Sequence, residues 1–311
     1  MRFELRLWGA ACAVIAATSA AAQAQTASDG LSPAPYQAAR QHSEGREVIV
    51  TASRRDLLGV AATASQGSVT QKEVELRPIY RIGQLYETVP GLVVTVHSGE
   101  GKANVYLLRG FNLDHGSDFA SFVDGMPVNR PTNAHGQGYS DQNYLLPQLV
   151  SSVDYTKGPY YAAIGDFGAV GSAHVQLTDN LPDQVSASLG TLRDQDLFAG
   201  GTQPLGADDR LWAAVDVGHY DGPWTPPSNF NKINAAARFS HGTQADGYSV
   251  TGMYYRSAGH LETDQSILAV QEGLIGRYGA LDPSDGSRSE RLSLSGHYGA
   301  TGDQWRFSAN A

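Results

Sequence analysis

Residues able to hold a metal ion or polarise a ligand gather in three short stretches: "HSGEGKAN" (97–104), "NLDHGSD" (112–118) and "RPTNAHGQGYSDQ" (130–142). Asp114, His115 and Asp118 form an Asp-His-x-x-Asp group, with the ligand types of a zinc or copper site. That spacing matches no dedicated metal loop, and a polar turn capped by carboxylates accounts for the same residues. His97 and His135 make a better pair for sensing a metal, although general polar contacts account for them better still. No metal site is assigned on these grounds. Enzyme motifs fail on spacing. "GEGKA" resembles a phosphate loop, but Val96 stands where the first glycine belongs and Ala103 where Ser or Thr belongs. Gly165, Gly168 and Gly171 are spaced G-x-x-G-x-x-G, which is not the dinucleotide fingerprint. No G-x-S-x-G elbow occurs. Neither a catalytic residue nor a cofactor is called for, and the chain reads as a non-enzyme.

The elements around these stretches begin with an export signal. Arg2 and Arg6 precede the apolar run "LWGAACAVIAATSAAA", and Ala22 and Ala24 supply a small-x-small cleavage pattern. Residues 1–24 are therefore expected to be a secretory signal peptide, too short in its apolar core for a spanning helix of about 20 residues. Cys12 lies inside it, so disulfides and thiolate chemistry are excluded from the mature chain. The net charge of −9 argues against nucleic acid as a partner. Residues 25–45 are small and polar and read as a flexible tail. "REVIVTASRRD" (46–56) then contains a β-branched strand with no evident partner.

From about Ser68 to Thr178 the pattern is mixed. "TQKEVELRPIYRIGQLYETVPGL" has helical spacing, with Ile82, Leu85 and Tyr86 on one face and Pro90-Gly91 as a stop. "LVVTV", "NVYLLRGF" and "FASFVDGMPVN" read as strands, the last with an internal turn, and "NLDHGSD" as the turn between the second and third. "YLLPQLVSSVDYTKGP" reads as a short helix followed by a strand. After about Asn180 the period becomes two. Leu211, Ala213, Val215 and Val217 oppose Arg210, Trp212 and Asp216. Tyr248, Val250 and Tyr254 oppose Ser249, Thr251 and Met253. One apolar and one polar face per segment matches transmembrane β-barrel strands, and more weakly a soluble sandwich.

Four pieces then occur in one order. They are "LYETVPGLVV", "YLLRGF" ending in Arg109-Gly110, "FVDGMPVN" with Asp124-Gly125, and "VDYTKGPYYAAIGDFGAVGSAHVQL" with Lys157, Gly158, Pro159, Gly165 and Gly171. Together they resemble the TonB-dependent outer-membrane receptors. The departures are Tyr161, Ile164 and Ser172-Ala173-His174, read as local, buried changes.

The resemblance implies an α+β plug domain (57–180) followed by part of a transmembrane antiparallel β-barrel (181–311), the complete family barrel having about 22 strands. At ~10 spanning residues per strand, residues 180–311 supply about six to eight, so the chain reads as a truncated receptor. The 46–56 strand resembles the TonB box, with Glu47, Val48, Ile49, Val50, Thr51 and Ala52 as its core. An ordinary edge strand of the plug is the other reading. The implied partners are TonB with its inner-membrane complex, outer-membrane lipids and a small-molecule ligand. The short tail implies transport without a signalling domain. A secreted adhesion or carbohydrate-binding β-protein is the alternative.

Strand direction places two loops at the outward-facing apex, where the resemblance puts ligand contacts: His97, Glu100, Lys102, Asn104, Arg130, Asn133, His135, Gln137, Tyr139 and Asp141. The same count sends Asp114, His115 and Asp118 to the opposite, periplasmic end.

Overall fold

The structure, a computed structural model, describes residues 59–96, 101–260 and 263–311. The signal peptide, tail and 46–56 strand lie outside them, as do His97 and Glu100. The plug contains nine strands: β1 (Val60–Thr63), β2 (Gln66–Thr70), β3 (Leu92–Thr95), β4 (Val105–Leu108), β5 (Phe111–Asn112), β6 (Phe119–Val123), β7 (Met126–Pro127), β8 (Val150–Thr156) and β9 (Gly171–Leu177). Six of them form one sheet in the order β1-β2-β8-β9-β6-β7, in which β6 and β9 run parallel. The other three form the small sheet β3-β4-β5.

The helical stretch splits in two. Helix α1 (Gln71–Leu76) ends at Arg77, whose backbone is extended. Pro78 follows, and a residue before proline is pushed out of the helical region. A 3₁₀ segment, Ile82–Thr88, then buries Ile82, Leu85 and Tyr86, the face marked by their spacing. Tyr86 packs edge-on against Tyr106 and Phe119, at centroid distances of 5.8 and 6.1 Å. Such pairs contribute about 0.5–1.5 kcal/mol each beyond their buried area.

One turn falls in a different place from the one the residues suggest. "NVYLLRGF" is not one strand. It folds back at Arg109-Gly110, both at positive φ (52° and 82°), so that Leu108 pairs with Phe111 and Leu107 with Asn112. The hairpin continues as Leu113 N–H donates to the Tyr106 carbonyl and Tyr106 N–H to that of Asp114. The chain therefore returns toward Asn104 before "DHGSD" turns. Asp114 and His115 are consequently not at the end opposite the 130–141 loop.

Seven strands follow among the described residues: β10 (Gln184–Leu189), β11 (Gln195–Pro204), β12 (Asp209–Tyr220), β13 (Phe230–Gly242), β14 (Gly247–His260), β15 (Gly286–Thr301) and β16 (Arg306–Asn310). They form one antiparallel sheet in sequence order, open at β10 and β16. A short helix, α2 (Ile267–Gln271), lies between β14 and β15. The alternation falls as its period requires. Trp212, Asp216, Asn234, Arg238, Ser249 and Thr251 are buried toward the plug. Leu292 and Leu294 point away from it, 81 % and 76 % exposed. The strands are joined by short turns at 205–208, 243–246 and 302–305 at one end and by connections at 190–194, 221–229 and between β14 and β15 at the other. No helix among the described residues is long and apolar enough to cross a membrane, which leaves β-strand crossing untouched.

Candidate functional site

Arg109, at the far end of β4 from Asn104, starts one cluster. Its guanidinium donates to the Lys157 carbonyl (3.0 Å) and to Ser65 Oγ (2.9 Å). Lys157 Nζ donates to the Pro90 carbonyl (3.1 Å). Three motifs far apart in sequence thus bond one another. Gly171 completes this corner: a Cβ there would lie 2.5 Å from the Thr156 carbonyl oxygen. Gly158 and Gly165 take positive φ, 130° and 74°. Tyr161 is exposed, not buried as its neighbours suggest, and its hydroxyl accepts from Gln66 Nε2 (2.9 Å).

Asp124-Gly125 is a second tight turn with φ of 48° and 77°. Asp124 Oδ1 accepts from Leu177 N–H (2.8 Å), and its Oδ2 accepts from Arg238 of the wall (2.9 Å). Arg238, 2 % exposed, also donates to Ser249 Oγ (3.0 Å) and lies 3.3 Å from Asp179. Trp212 Nε1 donates to the Thr178 carbonyl and Asn234 Nδ2 to that of Asn143. These contacts seat the plug against the wall. Sequence reasoning missed Arg238. Its one available signal was a lone cation among the small residues of "NAAARFS".

The loop residues gather elsewhere. His115 is 2 % exposed and its Nδ1 lies 3.2 Å from the Asn104 carbonyl. Its ring meets the His135 ring at 4.5 Å and that of Tyr139 at 5.4 Å. Asp114 bridges the two histidines, with Oδ2 3.3 Å from His135 Nε2 and Oδ1 3.7 Å from His115 Nε2. Burial lowers the His115 pKa against the opposing pull of Asp114, which favours a neutral ring. Tyr139 OH accepts from Ala103 N–H (3.0 Å), tying this corner to the 101–104 segment. Lys102 is half-buried and its carbonyl accepts from Asn143 Nδ2.

The other expected contacts separate. Asn133 caps the His135 N–H through Oδ1 (2.8 Å). Arg130 and Gln137 are exposed. Asp141 accepts from Asn143 N–H (2.9 Å), and burial raises its pKa. Asn104 is 3 % exposed and packs against Gly83, where a Cβ would strike its amide. Asp118 is exposed and stands outside the histidine group. Gly101 lies beside Phe230, Ser257 and Ser287, at strand ends that lead into the longer connections. Cavities of about 370 and 650 Å³ lie along the plug and wall, and neither is lined by His115 or His135.

A mixed sheet domain seated against an antiparallel wall, with the wall's polar face turned inward, defines the plugged-barrel class. Residues 60–172 match the family described as TonB-dependent Receptor Plug Domain. The fold also matches solved receptors. They include a mutant of the ferric enterobactin receptor PfeA from Pseudomonas aeruginosa (14 % identity, 80 % of this chain and 40 % of that one, TM-score 0.57). The ferric yersiniabactin uptake receptor FyuA from Yersinia pestis matches at 16 % identity, over 78 % of this chain and 39 % of that one, with TM-score 0.57. Copper transporter OprC matches at 14 % identity, over 78 % and 35 %, with TM-score 0.56. The chain thus spans 40 % or less of the length of each of these three structures.

Proposed function

We propose that this chain belongs to an outer-membrane receptor. It binds a scarce extracellular ligand and imports it into the periplasm on energy delivered through TonB. The observation that carries the reading is the plug held against the polar face of the wall, chiefly by Asp124 and Arg238. In a closed barrel that arrangement would block the lumen and would need an outside force to clear it. Glu47 to Ala52 would receive the force by adding as a strand to the partner's sheet edge.

Lys102, Arg130, Asn133, His135, Gln137, Tyr139 and Asp141 would meet the ligand, with Asp114 and His115 now beside them. Solved structures of this fold include two receptors named for ferric siderophores and one named a copper transporter, which favours a metal-bearing cargo. Ile49→Pro removes a ladder donor from the 46–56 strand. Whole-cell uptake of radiolabelled ferric siderophores, cobalamin, haem, maltooligosaccharides and copper or zinc salts should fall to background in this variant for the one that wild type imports. Surface binding should persist. Uptake at the wild-type rate would refute the TonB assignment.

A further inference from the structure

We propose that Asp114, His115 and His135 form a binding site for a first-row divalent transition cation of the zinc, nickel and copper(II) class. One ligand atom from each lies within 4.8 Å of the other two. A tetrahedral ion with bonds of 2.0–2.1 Å needs its ligand atoms about 3.3 Å apart. The Asp114 carboxylate already lies near that distance from both Nε2 atoms, 3.3 Å from His135 through Oδ2 and 3.7 Å from His115 through Oδ1.

His115 supplies the strongest argument. Its Nδ1 faces a backbone carbonyl, Asn104 O at 3.2 Å, so this nitrogen carries the proton and donates. The lone pair is then on Nε2, the atom turned toward Asp114. A backbone acceptor that fixes the tautomer of a buried imidazole is the usual outer support of a metal-ligating histidine. An Asp–His hydrogen bond alone would need only Asp114 and His135. It gives no reason for a second, buried imidazole 4.5 Å from the first.

Asp114 and His135 are 44 % and 40 % exposed on their side chains, which leaves the remaining coordination positions open to an incoming group. Two imidazoles and one carboxylate suit borderline cations. The set lacks the thiolates preferred by copper(I) and the six or more oxygens preferred by calcium. The spacing "D-H" does not reveal the site because its third ligand, His135, comes from another loop, to which the Arg109-Gly110 reversal returns the Asp114-His115 turn. That the ion is cargo, or part of one, rests on the import reading. The site itself does not.

The test is isothermal titration of the full-length, detergent-solubilised receptor with zinc chloride, with magnesium chloride as the contrast. Zinc should bind one-to-one at micromolar Kd or tighter. His135→Ala and Asp114→Asn should each weaken it at least about tenfold. Both side chains are partly exposed, so matching melting curves separate lost ligation from lost fold. His241→Ala, removing a wall histidine that lies 2.7 Å from Asp209, should leave zinc affinity unchanged. Unchanged affinity in His135→Ala, or magnesium bound as tightly as zinc, overturns the proposal. Zinc binding without uptake of any cargo would sink the import reading and keep the site. Uptake without zinc binding would do the reverse.

Discussion

The plug has two corners built on opposite plans. In the motif corner, Arg109 and Lys157 reach backbone carbonyls, of Lys157 itself and of Pro90, and Gly171 leaves no room for a side chain. In the histidine corner His115 and Tyr139 also reach the backbone, but Asp114, His115 and His135 meet one another through side chains on loops, two of them partly exposed. Backbone acceptors hold their place whatever the neighbouring sequence, so the first corner is suited to a fixed scaffold. Side-chain contacts change with each substitution, so the second can specialise. The difference teaches where to look for ligand choice.

Breaking the fixed parts should cost most. Asp124→Ala leaves Arg238 buried without its closest carboxylate, which costs about 3–5 kcal/mol. Urea titration of the receptor followed by limited proteolysis should show the plug becoming cleavable at lower denaturant, and an unchanged midpoint would contradict the Asp124–Arg238 seating. Gly171→Ala forces a Cβ against the Thr156 carbonyl and should cost about 1–3 kcal/mol by the same assay.

The smallest effect should come from the loop side, and its sign is opposite. Burial raises the Asp141 pKa. A carboxyl so raised holds its proton more tightly folded than unfolded. Its contribution to stability is therefore complete below the unfolded value of about 3.9 and is lost as pH rises through the folded one. Asp141→Asn keeps an acceptor for Asn143 N–H and removes that loss. The variant should melt higher than wild type at neutral pH, with the gap closing as pH falls below about 4. A gap that widens on acidification would show that Asp141 acts through its charge.

Two turns show how much of this was legible. Asp124-Gly125 and Arg109-Gly110 both carry two successive positive φ angles. Asp-Gly is a strong signal for such a turn because aspartate tolerates the left-handed region. Arginine gives no such signal, so "YLLRGF" read as unbroken, and Asp114 and His115 were sent to the wrong end. The wall was legible for a different reason. A strand with unlike environments on its two faces must alternate, and Trp212, Ser249 and Thr251 turned inward as that period demands. The helix before Pro90 was legible as a face, through Ile82, Leu85 and Tyr86, but not as two pieces. Arg238 was hidden because its partners, Asp124 and Asp179, are brought to it only by the tertiary fold.

The sheet order gives the plug a clasp. Strand β2 pairs with β8, Gln66 against Thr156, so residues 71–149 form one closed loop between adjacent strands. That loop contains Lys102, Asp114, His115, His135, Tyr139 and Asp141. Closing a chain of this length costs roughly 4 kcal/mol in entropy alone, beyond a constant. The clasp sits beside the sheet's edge, with only β1 outside it among the described strands. A pull from the N-terminal side would meet β1 first and β2 next, parting them a few hydrogen bonds at a time rather than shearing the sheet at once. Once β2 left β8, the loop holding the candidate ligand residues would be freed at one end while still anchored at the other through β8 and β9. Release of a bound cargo would then be a matter of slackening the loop that grips it.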